Sequence, residues 1–273
     1  MIRSPQNATI RRLAGLRNHR RRRASGSMLV DGPRETLRAI EAGIELMGFY
    51  EPWNESEGWQ AGPPELLRVR EHAREKKCHR GVQDQAFAKI KYGEGSERCV
   101  AEMKVPVRHF EGLPSPPQGL ILVLDGIEKP GNIGAVFRTA DAAGVEAVLL
   151  SDCPCDVFNP NAIRASLGAV FTVPLAAGTA DQVADWLLRW KISVLAMRVE
   201  AADSLYESQL AGPVAVILGS EANGLGDRWK QLGGHRVSGL VLPMSGRVDS
   251  LNVSVSAAVV AYEALRQRAA SES

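Results

Sequence analysis

The sequence predicts an α/β protein, with a parallel-sheet domain in the second half of the chain and a smaller α/β module before it. Three observations predict this. Residues 119–273 alternate β-type apolar runs with stretches of helical spacing, the pattern of a parallel sheet with helices on both faces. Those runs show no polar/apolar alternation, as expected of strands covered on both sides. Between the halves, "HFEGLPSPPQG" (109–119) holds three prolines and two glycines in eleven residues, which suits an extended connector. The expected domains are therefore 1–108 and 119–273, with 109–118 as linker.

In the first module, residues 5–24 set Ile10, Leu13 and Leu16 at helical spacing among Arg11, Arg12, Arg17 and the run Arg20 to Arg23. One basic amphipathic helix is predicted there. "SMLVDGPRETLRAIEAG" reads as a strand, a Gly-Pro turn and a helix from Pro33 to Ala42 stopped by Gly43. "IELMGFYEP" is a second strand, and "PELLRVREHAREKK" and "VQDQAFAKI" are two more helices. Aromatics are too sparse for a base-stacking platform, so recognition by shape and charge is expected.

In the second domain, strands are predicted at 119–127, 146–152, 170–175, 192–197, 214–220 and 239–244, and helices at 132–143, 160–168, 179–190, 203–210 and 253–268. Ligands of such sheets bind beyond the carboxyl ends of the strands.

Composition narrows the class. With 273 residues, 45% of them apolar and 23% charged, the chain can bury a sizeable core. No run approaches the roughly 18 apolar residues of a membrane span, and eight arginines precede the first acid, Asp31. A cytoplasmic location is expected. Cys153-Pro-Cys155 has no partner pair at metal-site spacing, so a reduced loop is expected and no metal site. The net charge of +2 conceals an asymmetry: residues 1–118 carry 21 Lys/Arg against 15 Asp/Glu, and residues 119–273 carry 12 against 16. The front module is thus the better contact for a polyanion, and its basic helix suits a phosphate backbone.

Three stretches at predicted strand ends carry residues that structure alone does not require. "DGIEKPGNIGAVFRTADAAG" places Asn132 where it could cap a helix, and Arg138 in a helix that otherwise looks buried. "VILGSEANGLG" runs a strand into small residues that let the backbone approach a ligand. "LPMSGRVDSLNVSVSAAVV" sets serines, a glycine and Asn252 among apolar neighbours, where unpaired polar groups would be costly to bury. Neither a dinucleotide fingerprint nor a Walker-type loop occurs.

Taken together, "NIGAVFRTA" (132–140), "LGSEANG" (218–224) and "LPMSGRVDSLNVS" (242–254) resemble the three motifs of the SpoU/TrmH branch of the SPOUT RNA 2′-O-ribose methyltransferases. "NPNAIRASLGAVF" (159–171) is similar to that family's segment between the first two motifs. The front module, with "SPQN" and "MLVDGPRE", is similar to the L30e-like substrate-binding domain of rRNA-directed members.

The resemblance implies a C-terminal trefoil knot that binds S-adenosylmethionine, and a homodimer formed through the C-terminal domain. Leu218, Gly219, Ser220, Leu242, Met244 and Leu251 would line the cofactor. Arg138 would be central to catalysis, with Asn132, Glu221, Ser250 and Asn252 in support. A guanidinium keeps its proton to a pH of about 12, so Arg138 is open to two roles, base or stabiliser of the developing oxyanion. Arg17, Arg20, Arg21, Arg22, Arg23 and Arg164 are the RNA-contacting candidates. The expected substrate is 23S-type ribosomal RNA; a tRNA substrate, or a non-catalytic ribosome-assembly factor of the same fold, stay open.

Overall fold

A computed structural model describes residues 1–53, 59, 61–92, 99–220 and 224–271. The chain divides into two compact units, residues 1–107 with 157–172, and residues 108–156 with 173–273. No helix among the described residues is long and apolar enough to cross a membrane.

The front of the first unit runs α1 (Ala8–Gly15), α2 (His19–Ser25), β1 (Ser27–Asp31), α3 (Pro33–Glu41), β2 (Leu46–Pro52), α4 (Pro64–Glu75), β3 (His79–Val82), α5 (Asp84–Phe87) and β4 (Val100–Lys104). The sheet order is β1-β4-β2-β3, antiparallel except for the β2–β3 pair. Two of its strands, β3 and β4, were not legible in the sequence: β3 is four residues long and "HRGV" carries little β signal.

The predicted single basic helix is two helices. Asn7 caps α1 by accepting from Thr9 N, and Asn18 caps α2 by accepting from Arg20 N, so a second cap interrupts the run after Leu16. Ile10, Leu13 and Leu16 are buried against Leu29, Tyr50, Val82 and Val100. Arg22 is only 2% exposed, and its guanidinium donates to the carbonyls of Leu16 and Arg17, both at 2.9 Å. It satisfies acceptors left orphaned where α1 ends.

A buried ion pair fastens α4 to the sheet. Arg70 Nε and Nη2 donate to the two oxygens of Glu51 at 2.9 and 2.8 Å, and Glu51 is 1% exposed. Removing one partner of such a pair costs about 3–5 kcal/mol, because the other charge stays desolvated. His79 Nε2 lies 2.9 Å from the same carboxylate but makes no hydrogen bond to it. Arg70→Met is therefore expected to lower unfolding free energy by about 3 kcal/mol in a denaturant titration; a loss too small to resolve would show that the Glu51 carboxylate does not depend on Arg70.

The rest of the chain runs β5 (Leu120–Asp125), α6 (Pro130–Ala143), β6 (Ala147–Ser151), α7 (Pro160–Ala165), α8 (Ala169–Thr172), β7 (Leu175–Gly178), α9 (Ala180–Arg189), β8 (Ser193–Met197), β9 (Asp203–Ser204), β10 (Val214–Leu218), β11 (Gln231–Leu232), β12 (His235–Arg236), β13 (Ser238–Val241) and α10 (Val253–Ser271). Of these, α7 and α8 pack with the first unit, against β1 and α3.

The second unit is a seven-stranded sheet of order β7-β6-β5-β10-β8-β13-β9, parallel at every pairing. Ile121 and Val123 of β5 face Val183, Trp186 and Leu187 of α9. The alternate residues of β5 and β10 face the other side, where α10 packs on both strands and on α6. Every residue of β5 and β10 is buried, which is why neither strand shows alternation.

Two elements differ from expectation. The β-type residues Val170 and Phe171 lie in α8, because the buried hydroxyl of Ser166 accepts from Gly168 N and Val170 N and closes a helical turn. The helix expected at 203–210 is the short strand β9 followed by a 3-10 turn in which Ser204 Oγ accepts from Tyr206 N.

Candidate active site

The carboxyl ends of β8, β10 and β13 open into a cavity of about 540 Å³. Leu218, Gly219 and Ser220 line it from the end of β10, and Leu242, Met244 and Leu251 from the segment after β13. Ser250 and Asn252, from the approach to α10, complete that wall. All six residues expected to meet a cofactor thus share one cavity, as do two of the five expected in catalysis.

Gly219 is where the backbone is tightest. A Cβ there would lie 2.4 Å from Gly224 C and O, so the strand end and the returning loop touch through the missing side chain. Gly224, at φ +57°, donates its N–H to Ser220 O at 2.9 Å. Leu225 and Trp229 then anchor the loop in the α9-side core.

Asn252 performs two jobs. Its Oδ1 accepts from Ser254 N at 2.9 Å, capping α10, and its Nδ2 donates to Asn132 Oδ1 at 3.3 Å. Asn132 does not cap α6, which begins at Pro130 with Lys129 in the cap position. As the third residue of the helix, Asn132 instead carries the first motif to the third. Ser250 Oγ is 3.4 Å from Asp249 Oδ1 at the exposed rim.

Arg138 departs from its expected setting. It lies on the exposed side of α6, does not line the cavity, and has no hydrogen bond or ion pair among the described residues. Six residues beyond Asn132, it is about 9 Å further along the helix and well around its axis. Glu221 lies outside the described residues.

Of the RNA-contacting candidates, Arg20, Arg21, Arg23 and Arg164 are exposed. Arg17 and Arg22 are structural. Arg17 donates to both oxygens of Asp31 at 2.6 and 2.7 Å and stacks 5.5 Å over the Tyr92 ring, while Arg22 is buried as described.

Charges also gather beside the cavity loop. Arg228 Nη1 is 2.6 Å from Asp152 and 3.5 Å from the buried Asp125, which accepts from Ser151 Oγ at 2.5 Å. Nearby, burial pushes the Cys153 thiol up to about 11, with Asp125 adding to the rise, so this cysteine stays protonated and unreactive at neutral pH.

Sequence reasoning missed Met197, Arg198, Val199, Val241 and Asp249 in the cavity wall. A cation directly after the apolar run "ISVLAM" is the one signal that pointed to Arg198.

Residues 119–262 match the family model of the SpoU rRNA methylases. The chain is 35% identical over 215 residues to the 23S rRNA (guanosine-2′-O-)-methyltransferase RlmB of Xanthomonas campestris pv. campestris, covering 75% of this chain and 84% of that one. It is 29% identical over 271 residues to the 23S rRNA (uridine(2479)-2′-O)-methyltransferase of Streptomyces viridochromogenes, with 94% and 88% covered. A crystal structure of an RNA 2′-O ribose methyltransferase superimposes with a TM-score of 0.84 at 36% identity, over 98% of this chain and 99% of that chain. The methyltransferase AviRb from S. viridochromogenes, solved with AdoMet, has the same fold, with a TM-score of 0.84 at 24% identity over 97% and 99% of the two chains.

Proposed function

The chain belongs to the SpoU rRNA methylase family, and from that membership we propose that it methylates a ribose 2′-hydroxyl of 23S-type ribosomal RNA with S-adenosylmethionine as donor. One observation carries the reading: the second and third motifs line a single cavity, and a hydrogen bond from Asn252 to Asn132 ties the first motif to it.

The cavity suits the donor. Its wall combines backbone groups of Gly219, Ser220 and Gly224 with the apolar side chains of Leu218, Leu242, Met244 and Leu251, the mix of apolar surface and a few polar groups that holds small molecules. Bound there, S-adenosylmethionine supplies an electrophilic methyl group. Asn132, Ser250 and Asn252 orient the acceptor ribose at the rim, so that oxygen and methyl meet in line. Arg138 holds its guanidinium against the charge that develops on the ribose oxygen. The proton leaves by another path, since a guanidinium that keeps its own to a pH of about 12 is a poor base.

Two catalytic domains are proposed to pair through α10. That helix exposes Val255, Tyr262 and Leu265 on one face, beside Leu251, an apolar stripe that a second copy would cover. In such a pair Arg138, outside its own cavity, is available to the partner's site. The double substitution Val255→Asp with Tyr262→Asp is expected to give a monomer in sedimentation, with activity lost; a dimer of full activity would place the interface elsewhere.

The first unit is the proposed substrate-binding domain. Its front part, residues 1–108, joins through residues 109–118 to the chain stretch 119–273 that carries the methyltransferase motifs, of which residues 157–172 pack with the first unit, and Arg20, Arg21, Arg23 and Arg164 face the RNA. A trefoil knot in the second unit is supported by the entry of β13 between β8 and β9 and the return of α10 to α6. The cytoplasm, where ribosomal RNA is matured, is the proposed location.

The test is incubation of unmodified total RNA with the protein and labelled donor, followed by mass mapping. One 2′-O-methylated nucleotide in 23S rRNA is expected. Modification confined to tRNA would move the substrate, and no incorporation by protein that binds RNA would favour a non-catalytic role.

A further inference from the structure

Arg198 lies outside all three motifs and yet touches the strands and the loop that shape the cavity. It follows β8 directly, and its backbone N–H donates to Leu240 O of β13 at 2.8 Å. Its guanidinium reaches the other way, Nη1 donating at 2.8 Å to Gly226 O in the loop after β10. The side chain is 11% exposed and forms part of the cavity wall, where it is the one cation among the described residues. Its second terminal nitrogen, Nη2, is buried with no hydrogen-bond partner among the described residues.

We propose that Arg198 is a positioning residue for donor binding: it ties the Gly224–Gly226 arm of the loop to the ends of β8 and β13, so the cavity stands formed before the donor enters. The inference rests on reading this cavity as the donor site. Gly226, at φ +54°, has no side chain with which to anchor itself, so its carbonyl is the available handle. Leu225 and Trp229 hold the loop to the core on either side, which leaves Arg198 to set the loop's height over the cavity and not whether the chain folds. A charged donor on a carbonyl is a stronger link than a neutral one, even where, as at Gly226, the acceptor is exposed. Glu200, 3.5 Å from the same Nη1 but on an exposed carboxylate, adds little.

The full chain should be titrated calorimetrically with S-adenosylmethionine as wild type, Arg198→Met, Arg198→Lys and Glu200→Ala, each checked by thermal melting. Arg198→Met keeps the apolar stem and is expected to weaken donor binding about tenfold, with kcat at saturating donor within about threefold of wild type. Arg198→Lys, whose ammonium can reach the same carbonyl, should recover part of the loss and serves as the test should the Met variant fail to fold. Glu200→Ala should bind as wild type does. Two results would overturn the inference: wild-type affinity and kcat in Arg198→Met, or an unchanged Kd with a collapsed kcat, which would make Arg198 catalytic. Failure of the wild type itself to bind the donor would remove the donor-site reading and this inference with it, whereas wild-type-like binding by Arg198→Met removes this inference alone.

Discussion

Arg138→Ala is expected to lower turnover at saturating donor and RNA by about a thousandfold, while calorimetry finds donor affinity within about twofold of wild type. The fold has no stake in this side chain: it is exposed on α6 and neither pairs nor bonds among the described residues. Its removal leaves no buried group unsatisfied, so melting should be unchanged. The cavity proposed for the donor has no stake in it either, since its wall is built from the ends of β8, β10 and β13. On the proposed assignment, what is lost is a fixed positive charge where the ribose oxygen becomes negative, and losses of that kind fall on kcat. Arg138→Lys keeps the charge but not the planar fork, and should recover only part of the rate. A dead Ala variant that also fails to bind donor would contradict the assignment, and a fully active one would remove Arg138 from the reaction.

Gly219→Ala should have the second large effect, on binding. The added methyl would meet the backbone of Gly224 and Leu225, at 2.4 and 2.7 Å, and backbone cannot turn aside as a flexible side chain does. The loop must lift, and overpacking of this kind costs about 1–3 kcal/mol. Because the displaced segment is the cavity wall, most of that cost appears as lost affinity, about tenfold to a hundredfold in Kd. Calorimetry with S-adenosylmethionine reads it directly. Wild-type affinity in a folded Gly219→Ala protein would mean the donor lies elsewhere.

The parallel sheet was legible because burial on both faces leaves a trace: "LILVL" in β5 and "VAVIL" in β10 are short unbroken apolar runs rich in β-branched residues and bounded by glycine, which favours a covered strand over a helix. Ser250 and Asn252 stood out as polar residues leading into an apolar helix, but the sequence suggested burial, and residues 245–252 are exposed, so their polar groups meet the open rim of the cavity and not a dry interior. Other features depend on partners that linear spacing does not reveal. Nothing in the neighbourhood of Arg198 announces Gly226, and nothing in the arginine run separates Arg22, which turns back onto the carbonyls of Leu16 and Arg17, from its exposed neighbours. In α8 the β preference of Val170 and Phe171 was overruled by one hydroxyl, that of Ser166. For Arg138, the apolar residues around it suggested burial, but they occupy the other sides of the helix.

The inward turn of Arg17 and Arg22 bears on how ionic strength governs the encounter with RNA. Of the five cations at 17 and 20–23 proposed to meet RNA, only Arg20, Arg21 and Arg23 are exposed and so free to displace condensed counterions. The segment's share of the log–log salt slope is therefore capped near −2 on single-stranded RNA, at about −0.7 for each neutralised phosphate, and not at the steeper value the raw arginine count implies. On the proposed reading, any RNA affinity beyond that share comes from contacts other than this cationic run.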